Sequence, residues 1–414
     1  MPDFHKSFLH QDRLDLARDS TPVVRLAAFG KHPAWNDHME DIGLDTLALV
    51  EAKRYLYVQG ISGQIDSGAW GSPSPSSLRL SGSPLPFTES LGGGGGQGNA
   101  PPPADPALAQ QRPIENRESK IENFNHWLLW HRPGEILLGR LLASIDGKGR
   151  SRYPLVVLAH IINLPLAPAI DTCARLLDAA AGSARSATSP DSVRRVISET
   201  RERLFNLALY APDTPSPLPP GLRLQLSPGA WTRIYNAIES HLSQFAPGAS
   251  PDASTPCRHL RLPAAGADPL QSLLWWNTYL LTQLSPLTPL LLIAPAADAG
   301  LSPADSPPSE IHSPYSAFSH LDLIAGEPAS HHFRCLLVPQ SALPLVTDIP
   351  YDPAPRIIDI TNEHIQNPDP AGLPPRSLFR PKPPTRESAL ATVASRDGLA
   401  RAIRPPGFLH KIFG

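Results

Sequence analysis

Three observations predict an α/β fold with a mixed, largely antiparallel sheet flanked by helices. Apolar runs of strand length recur along the chain, as in VVRLAAF (Val23 to Phe29), HWLLWH, EILLGRLLASI and PLVVLAHII. Segments with 3.6-residue periodicity, such as DSVRRVISETRERLFNLA, lie between later runs of that kind. Proline makes up 50 of 414 residues, against a usual share of about 5%. Each proline removes an N–H donor and clashes with the preceding helical turn. The excess therefore belongs to long insertions and a tail, leaving roughly 250 residues of compact fold, enough to bury a core.

A polar segment, residues 1–22, comes first. The VVRLAAF strand opens an α/β domain expected to span 23–345. FGKHPAWNDHMEDIG (Phe29 to Gly43) follows as a strand-to-helix connection, where polar side chains are naturally exposed. LDTLALVEAKRYLYVQGI then reads as a helix, with Leu44, Leu47, Ala48, Ala52 and Tyr55 at helical spacing and Asp41 or Asp45 as the expected cap. Residues 71–113 run through SPSPSS and GGGGGQGNAPPPADP, a composition that cannot offset chain entropy by apolar burial. GGGGGQG fits G-x-G-x-x-G only trivially, with no preceding strand and no following Lys-Ser or Lys-Thr.

HWLLWH and EILLGRLLASI, joined by Arg-Pro-Gly, and then PLVVLAHII read as a meander, antiparallel because the first connection is so short. AIDTCARLLDAAAG, DSVRRVISETRERLFNLA and GAWTRIYNAIESHLSQF read as helices. In the second, Val193, Val196, Ile197 and Leu204 face the core while Ser192, Glu199 and Arg203 face water. LQSLLWWNTYLL is read as a helix, and PLLLIAP, HLDLIAG and HFRCLLVP as short strands. Residues 346–414 are expected to form a Pro-rich, mildly basic flexible tail. From Ile365 onward it has eight Lys/Arg against three Asp/Glu, and it ends in GFLHKIFG.

Composition limits the function. A formal charge of −2 gives no global argument for nucleic acid. Cys173, Cys257 and Cys335 lie far apart with no CxxC pair, as expected of reduced thiols in a cytoplasmic protein. No leader-like apolar region opens the chain, and no segment approaches the roughly 18 apolar residues of a membrane span.

Two stretches could carry chemistry. In HPAWNDHMED, His32, Asp37, His38 and Asp41 are of metal-ligating type, but the spacing is neither H-E-x-x-H nor H-x-H. The alternatives are that Asp37 and Glu40 cap the next helix with Trp35 packed over it, or that Lys31, His32, Trp35, Asp37, His38 and Asp41 form a partner-reading surface. In IDGKGRSRYP (Ile145 to Pro154), Asp146 and Gly147 start a turn and Gly149 suits a positive φ. Lys148, Arg150 and Arg152 concentrate charge ahead of Tyr153. P-loop spacing is absent. The other readings are a solvated hairpin, or Arg150 pairing with Asp37 or Glu40 to tie two distant loops into one surface. His331-His332 and Trp275-Trp276 read as structural, and no G-x-S-x-G elbow occurs.

In their order along the chain these pieces resemble the TagF/ImpM family of type VI secretion accessory proteins. A strand is followed by Gly30-Lys31-His32-Pro33 with Asp37 as the acid. Asp146, Gly149, Arg150, Tyr153, Pro154 and Leu155 then match an Asp-x-x-Gly-Arg segment ending in aromatic-Pro-Leu, and Leu274-Trp275-Trp276 stands ahead of a strand. The resemblance covers roughly residues 23–339. His32 to His38 departs from the family's usual approach to its Asp, and two residues separate Arg150 from Tyr153 where the family has one. Both departures mark a divergent member. The resemblance implies an α/β fold, no catalysis and no cofactor. It also implies a cytoplasmic regulator acting through protein contacts, including forkhead-associated-domain partners, with the Gly30–Asp41 and Asp146–Pro154 loops as its surface. Two readings of other classes stay open. One is a metal-dependent hydrolase using His32, Asp37 and His38; the other is a scaffold recruiting partners through the Pro-rich tail.

Overall fold

The computed structural model describes residues 21–66, 124–150, 153–209, 226–249, 255–266, 268–296, 319–336, 343–352, 354–366 and 378–379. The 71–113 insertion, most of the polar N-terminal segment, Ser151, Arg152 and the terminal GFLHKIFG lie outside them.

Seven strands form one sheet in the order β1-β4-β3-β2-β6-β7-β5. They are β1 (Val23–Gly30), β2 (Asn125–Arg132), β3 (Glu135–Leu142), β4 (Leu155–Ile162), β5 (Arg258–Pro263), β6 (Leu290–Pro295) and β7 (His320–Ala325). The expected α/β fold stands, and all six pairings are antiparallel. The meander β2-β3-β4 is present, with Arg132 opposite Glu135 across the tight turn at Pro133-Gly134. Its strands read as continuous apolar runs because helices cover both sheet faces, so residues of either parity are buried.

On one face Ala27, Phe29, Leu128, Trp130, Leu137, Leu158, Leu291 and Ile324 join a core with α1 (Leu47–Ala52) and the π-helix Lys53–Ser62 that continues it. The run ends in α2 (Gly63–Asp66). Thr46 caps α1, its hydroxyl accepting from the Leu49 N–H at 3.3 Å. Asp41 and Asp45, the expected caps, pair instead with Lys53 and Arg201. The buried side of this segment comprises Ala48, Leu49, Ala52, Leu56, Tyr57 and Ile61, while Leu47 is exposed. Wider π-winding changes which residues share a face.

The opposite face carries α3 (Leu166–Ser186), α4 (Pro190–Leu209) and α6 (Pro269–Gln283), with α5 (Pro228–Leu242) beside β5. Within α4, Val193, Ile197 and Leu204 are buried while Glu199 and Arg203 are exposed, as their spacing predicts, whereas Val196 and Ser192 are both half-buried. LQSLLWWNTYLL is the buried helix α6, its N-cap Asp268 accepting from the Leu270 N–H.

Two expectations are corrected and one strand is new. HFRCLLVP is not a strand over its described part: Ser330–Leu336 forms a 3₁₀ helix. Phe333 packs so closely on Gly60 that a Cβ there would lie 2.5 Å from its ring. Strand β5 (RHLRLP) carried no strand signal, since three of its six residues are basic or histidine. The segment after residue 346 is not all tail, because α7 (Pro355–Gln366) packs on α5. His364 sits edge-on to Trp231 with ring centroids 4.6 Å apart, and the Leu378 N–H donates to Gln283 at 3.0 Å. Among the described residues no helix is long and apolar enough to cross a membrane.

Candidate functional site

Beyond β1 the chain turns through 32–37 and returns antiparallel along the outer edge of β1. The Met39 N–H donates to Gly30 O (2.9 Å), and Ala28 and Ile42 exchange bonds of 2.9 and 3.0 Å. This return covers part of the sheet's edge. It is possible because Gly30 takes a φ of 116° with the Pro154 carbonyl against it. Glu40 pairs with Arg194 and Asp45 with Arg201, both on α4, so the return is also clamped from the helical side.

The 30–41 and 146–154 segments interlock. Lys31 is 2% exposed, and its Nζ lies 2.5 Å from Asp37 and 3.1 Å from Asp146. Arg150 reaches the same two acids, with Nε 2.7 Å from Asp146 and Nη2 3.1 Å from Asp37. The second Asp146 oxygen accepts the N–H groups of Lys148 (2.9 Å) and Arg150 (3.0 Å), a short-range turn typical of aspartate. Burial by itself raises the Asp146 carboxyl. The bonds from the Arg150 N–H, the Lys31 and Arg150 side chains and the Lys148 N–H outweigh it and hold the group well below the usual range. Asp37 is also lowered, chiefly by its bond from Lys31.

Backbone contacts complete the joint. The Gly147 N–H donates to Trp35 O at 2.6 Å, and a side chain at 147 would press on Asn36, Pro33 and Trp35. Gly149 takes the expected positive φ, 78°. Arg150 also donates to Asn36 O at 3.0 Å.

The aromatic members pack beneath. Lys31 Nζ stands 5.5 Å from the Tyr153 ring centre, and the Tyr153 hydroxyl donates to Asp66 at 2.5 Å. His38 stacks edge-on against Tyr153 and Tyr57, its Nδ1 3.1 Å from the Tyr57 hydroxyl. Burial, then the Lys31 charge, lowers the His38 pKa. Trp35 packs edge-on against His32 rather than over the following helix.

The potential metal ligands are not gathered together. His32 is fully buried and has both ring nitrogens engaged. The Ala34 N–H donates to Nδ1 at 3.0 Å, which puts the proton on Nε2 facing Ala184 O of α3 at 2.6 Å. Its pKa is lowered by burial, in keeping with this neutral tautomer. Asp41 is occupied by Lys53. Asp37 and Glu40 cap nothing; the first belongs to the interlock and the second to α4.

The pairing of Arg150 with Asp37, one of the alternatives in the sequence, is therefore present, whereas Glu40 goes to Arg194. Sequence reasoning missed Asp66, Tyr57 and the Ala184 carbonyl, none of which stands in a recognisable motif. The cluster sums to no net charge, with two cations against two carboxylates. Its exposed rim is Asn36, Asp37, His38, Lys148 and Arg150.

No family model, curated protein or solved structure matches this chain at a significant level.

Proposed function

We propose that this chain is a non-enzymatic regulator of a type VI-like secretion system, a divergent relative of TagF/ImpM. It acts in the cytoplasm by protein contact through the joined Gly30–Asp41 and Asp146–Pro154 loops. The observation that carries this reading is the four-membered ion cluster: the motif residues behind the resemblance are the ones that bond to each other. Lys31, Asp146 and His32 are used up in holding backbone and loop, and a polar rim with Asp37 between basic neighbours is left facing outward. Such a surface suits recognition, because its polar groups are ordered before the partner arrives.

Affinity capture from the native host, comparing the unaltered chain with Arg150→Ala and read by mass spectrometry, tests the reading. Enrichment of secretion-apparatus or forkhead-associated-domain components that is lost in the variant is the expected result. Capture of no such component by the folded chain would overturn it.

A further inference from the structure

At the opposite edge of the sheet from the loop pair, three donors of different chemistry converge. β5 and β7 are paired so that Arg261 stands opposite Asp322 and His259 opposite Ile324. Strand alternation then puts His259, Arg261, Asp322 and Ile324 on one face. The 3₁₀ helix Ser330–Leu336 lays Cys335 over that face. His259, Asp322 and Cys335 each offer an atom within 4.8 Å of the other two, the one such group among the described residues. His259 Nε2 is already 2.9 Å from Asp322 Oδ1.

We infer that His259, Asp322 and Cys335 form a binding site for a borderline-soft divalent cation, zinc or cobalt(II). This goes beyond the regulatory reading and uses none of its residues. Imidazole and thiol together select such metals, whereas calcium and magnesium call for oxygen ligands. Ligand atoms on a tetrahedral zinc stand about 3.3–3.8 Å apart. The thiol need therefore approach by at most about 1.5 Å, a side-chain adjustment.

Arg261 is the outer partner of the site. Its Nε and Nη2 each lie 2.9 Å from an Asp322 oxygen, and Nη2 also reaches the Cys335 carbonyl at 3.2 Å. Outer hydrogen bonds of this kind orient a ligating carboxylate. A carboxylate accepts at about four positions, so a cation can replace the imidazole N–H on Oδ1 while both arginine bonds stay. On binding, the Cys335 thiol releases its proton to solvent. A neutral His259 carries its remaining proton on Nδ1 and gives Nε2 to the metal. The His259 side chain is 17% exposed and that of Asp322 4%, so entry is from the His259 side. The fourth position is left to water.

The test uses the full chain, stripped with chelator, kept reduced with a phosphine and titrated with cobalt(II). One cobalt per chain and a thiolate-to-cobalt charge-transfer band in the near ultraviolet are expected, with zinc displacing both. Cys335→Ser should abolish the band, while Cys173→Ala and Cys257→Ser keep it. His259→Ala, at a partly exposed position, should raise Kd by about tenfold or more, with unchanged circular dichroism. Absence of stoichiometric cobalt in the unaltered chain would overturn the site, as would a band that survives Cys335→Ser. Should Cys335→Ser not fold, a His259→Ala chain that folds and binds cobalt with unchanged Kd would do the same.

Discussion

Lys31 and Asp146 are separated by 115 positions in the chain, yet ammonium and carboxylate meet at 3.1 Å with both side chains almost wholly removed from water. The pair is the point at which the β1 exit is joined to the β3–β4 connection. Removing two charges from water is costly, and the cost is offset here by bonds that leave neither group short of partners: Lys31 has a second acid, and Asp146 has four donors.

Asp146→Asn should therefore be strongly destabilising. The amide can keep the turn through its oxygen, but its NH₂ then faces the Lys31 and Arg150 cations. Loss of one partner from a buried pair costs about 3–5 kcal/mol. A denaturant titration should show a lower midpoint with an unchanged slope. A loss below about 0.5 kcal/mol, the range of ordinary surface changes, would show that the joint does not bear on the fold.

Gly30→Ala should damage the same joint by another route. A Cβ at this φ of 116° would lie 2.2 Å from the Pro154 carbonyl oxygen, and backbone on both sides resists the shift. A stability loss of about 2 kcal/mol or more is expected, whereas Gly134→Ala, with no atom near its added carbon, should cost only the φ strain. Melting temperatures of the two variants compared with the unaltered chain decide it.

Much of this architecture was legible in the sequence. β1 to β4, β6 and β7 are apolar runs, and α3 to α6 keep helical spacing. What escaped was set by tertiary partners. RHLRLP is a strand because Arg261 and His259 find Asp322 across the ladder. SHHFRCL is 3₁₀ because Phe333 needs the notch at Gly60, and an apolar run alone does not separate the two. α7 is framed by prolines that also mark tails, yet Pro355 at a helix start costs nothing. At the site, Arg150 with Asp37 was among the alternatives. Lys31 buried between two acids was not, since only the return of the chain along β1 brings it there.

Acid should weaken the fold in two stages. Burial holds the His126 imidazole down to about 4, against an unfolded value of about 6.5. Between those values the unfolded chain binds the extra proton, so stability falls as pH falls. Asp146 and Asp322 are held below the usual carboxylate range, so their contribution is present above about pH 4 and is lost below it. Melting temperature should decline from about pH 6.5 downward and more steeply below pH 4. His126→Leu should make the first stage shallower, the remainder coming from other histidines lowered by burial such as His32 and His332, and leave the second stage in place. An unchanged profile in that variant would refute the assignment.

The extent of the folded body can be tested at Ile357. This side chain is fully buried on α7, within the segment expected to be tail. If α7 is part of the core, Ile357→Ala should cost about 2–5 kcal/mol, and Ile358→Ala, whose side chain is 44% exposed, well under 1. Equal, negligible effects would return the boundary to residue 346.

Asp37 separates recognition from stability. Its side chain is 68% exposed, so the charges it meets are screened by water and the bonds to Lys31 and Arg150 should be worth little individually. Lys31 keeps Asp146 when Asp37 is removed. Asp37→Ala should therefore leave stability nearly unchanged, in contrast to Asp146→Asn. If the rim is the partner-reading surface, the same substitution should still abolish capture of secretion-apparatus components, because it deletes the one acid at the centre of that surface. Retained capture with unchanged stability would move the contact elsewhere on the molecule. Loss of capture only in variants that also lose stability would reduce the cluster to a structural joint.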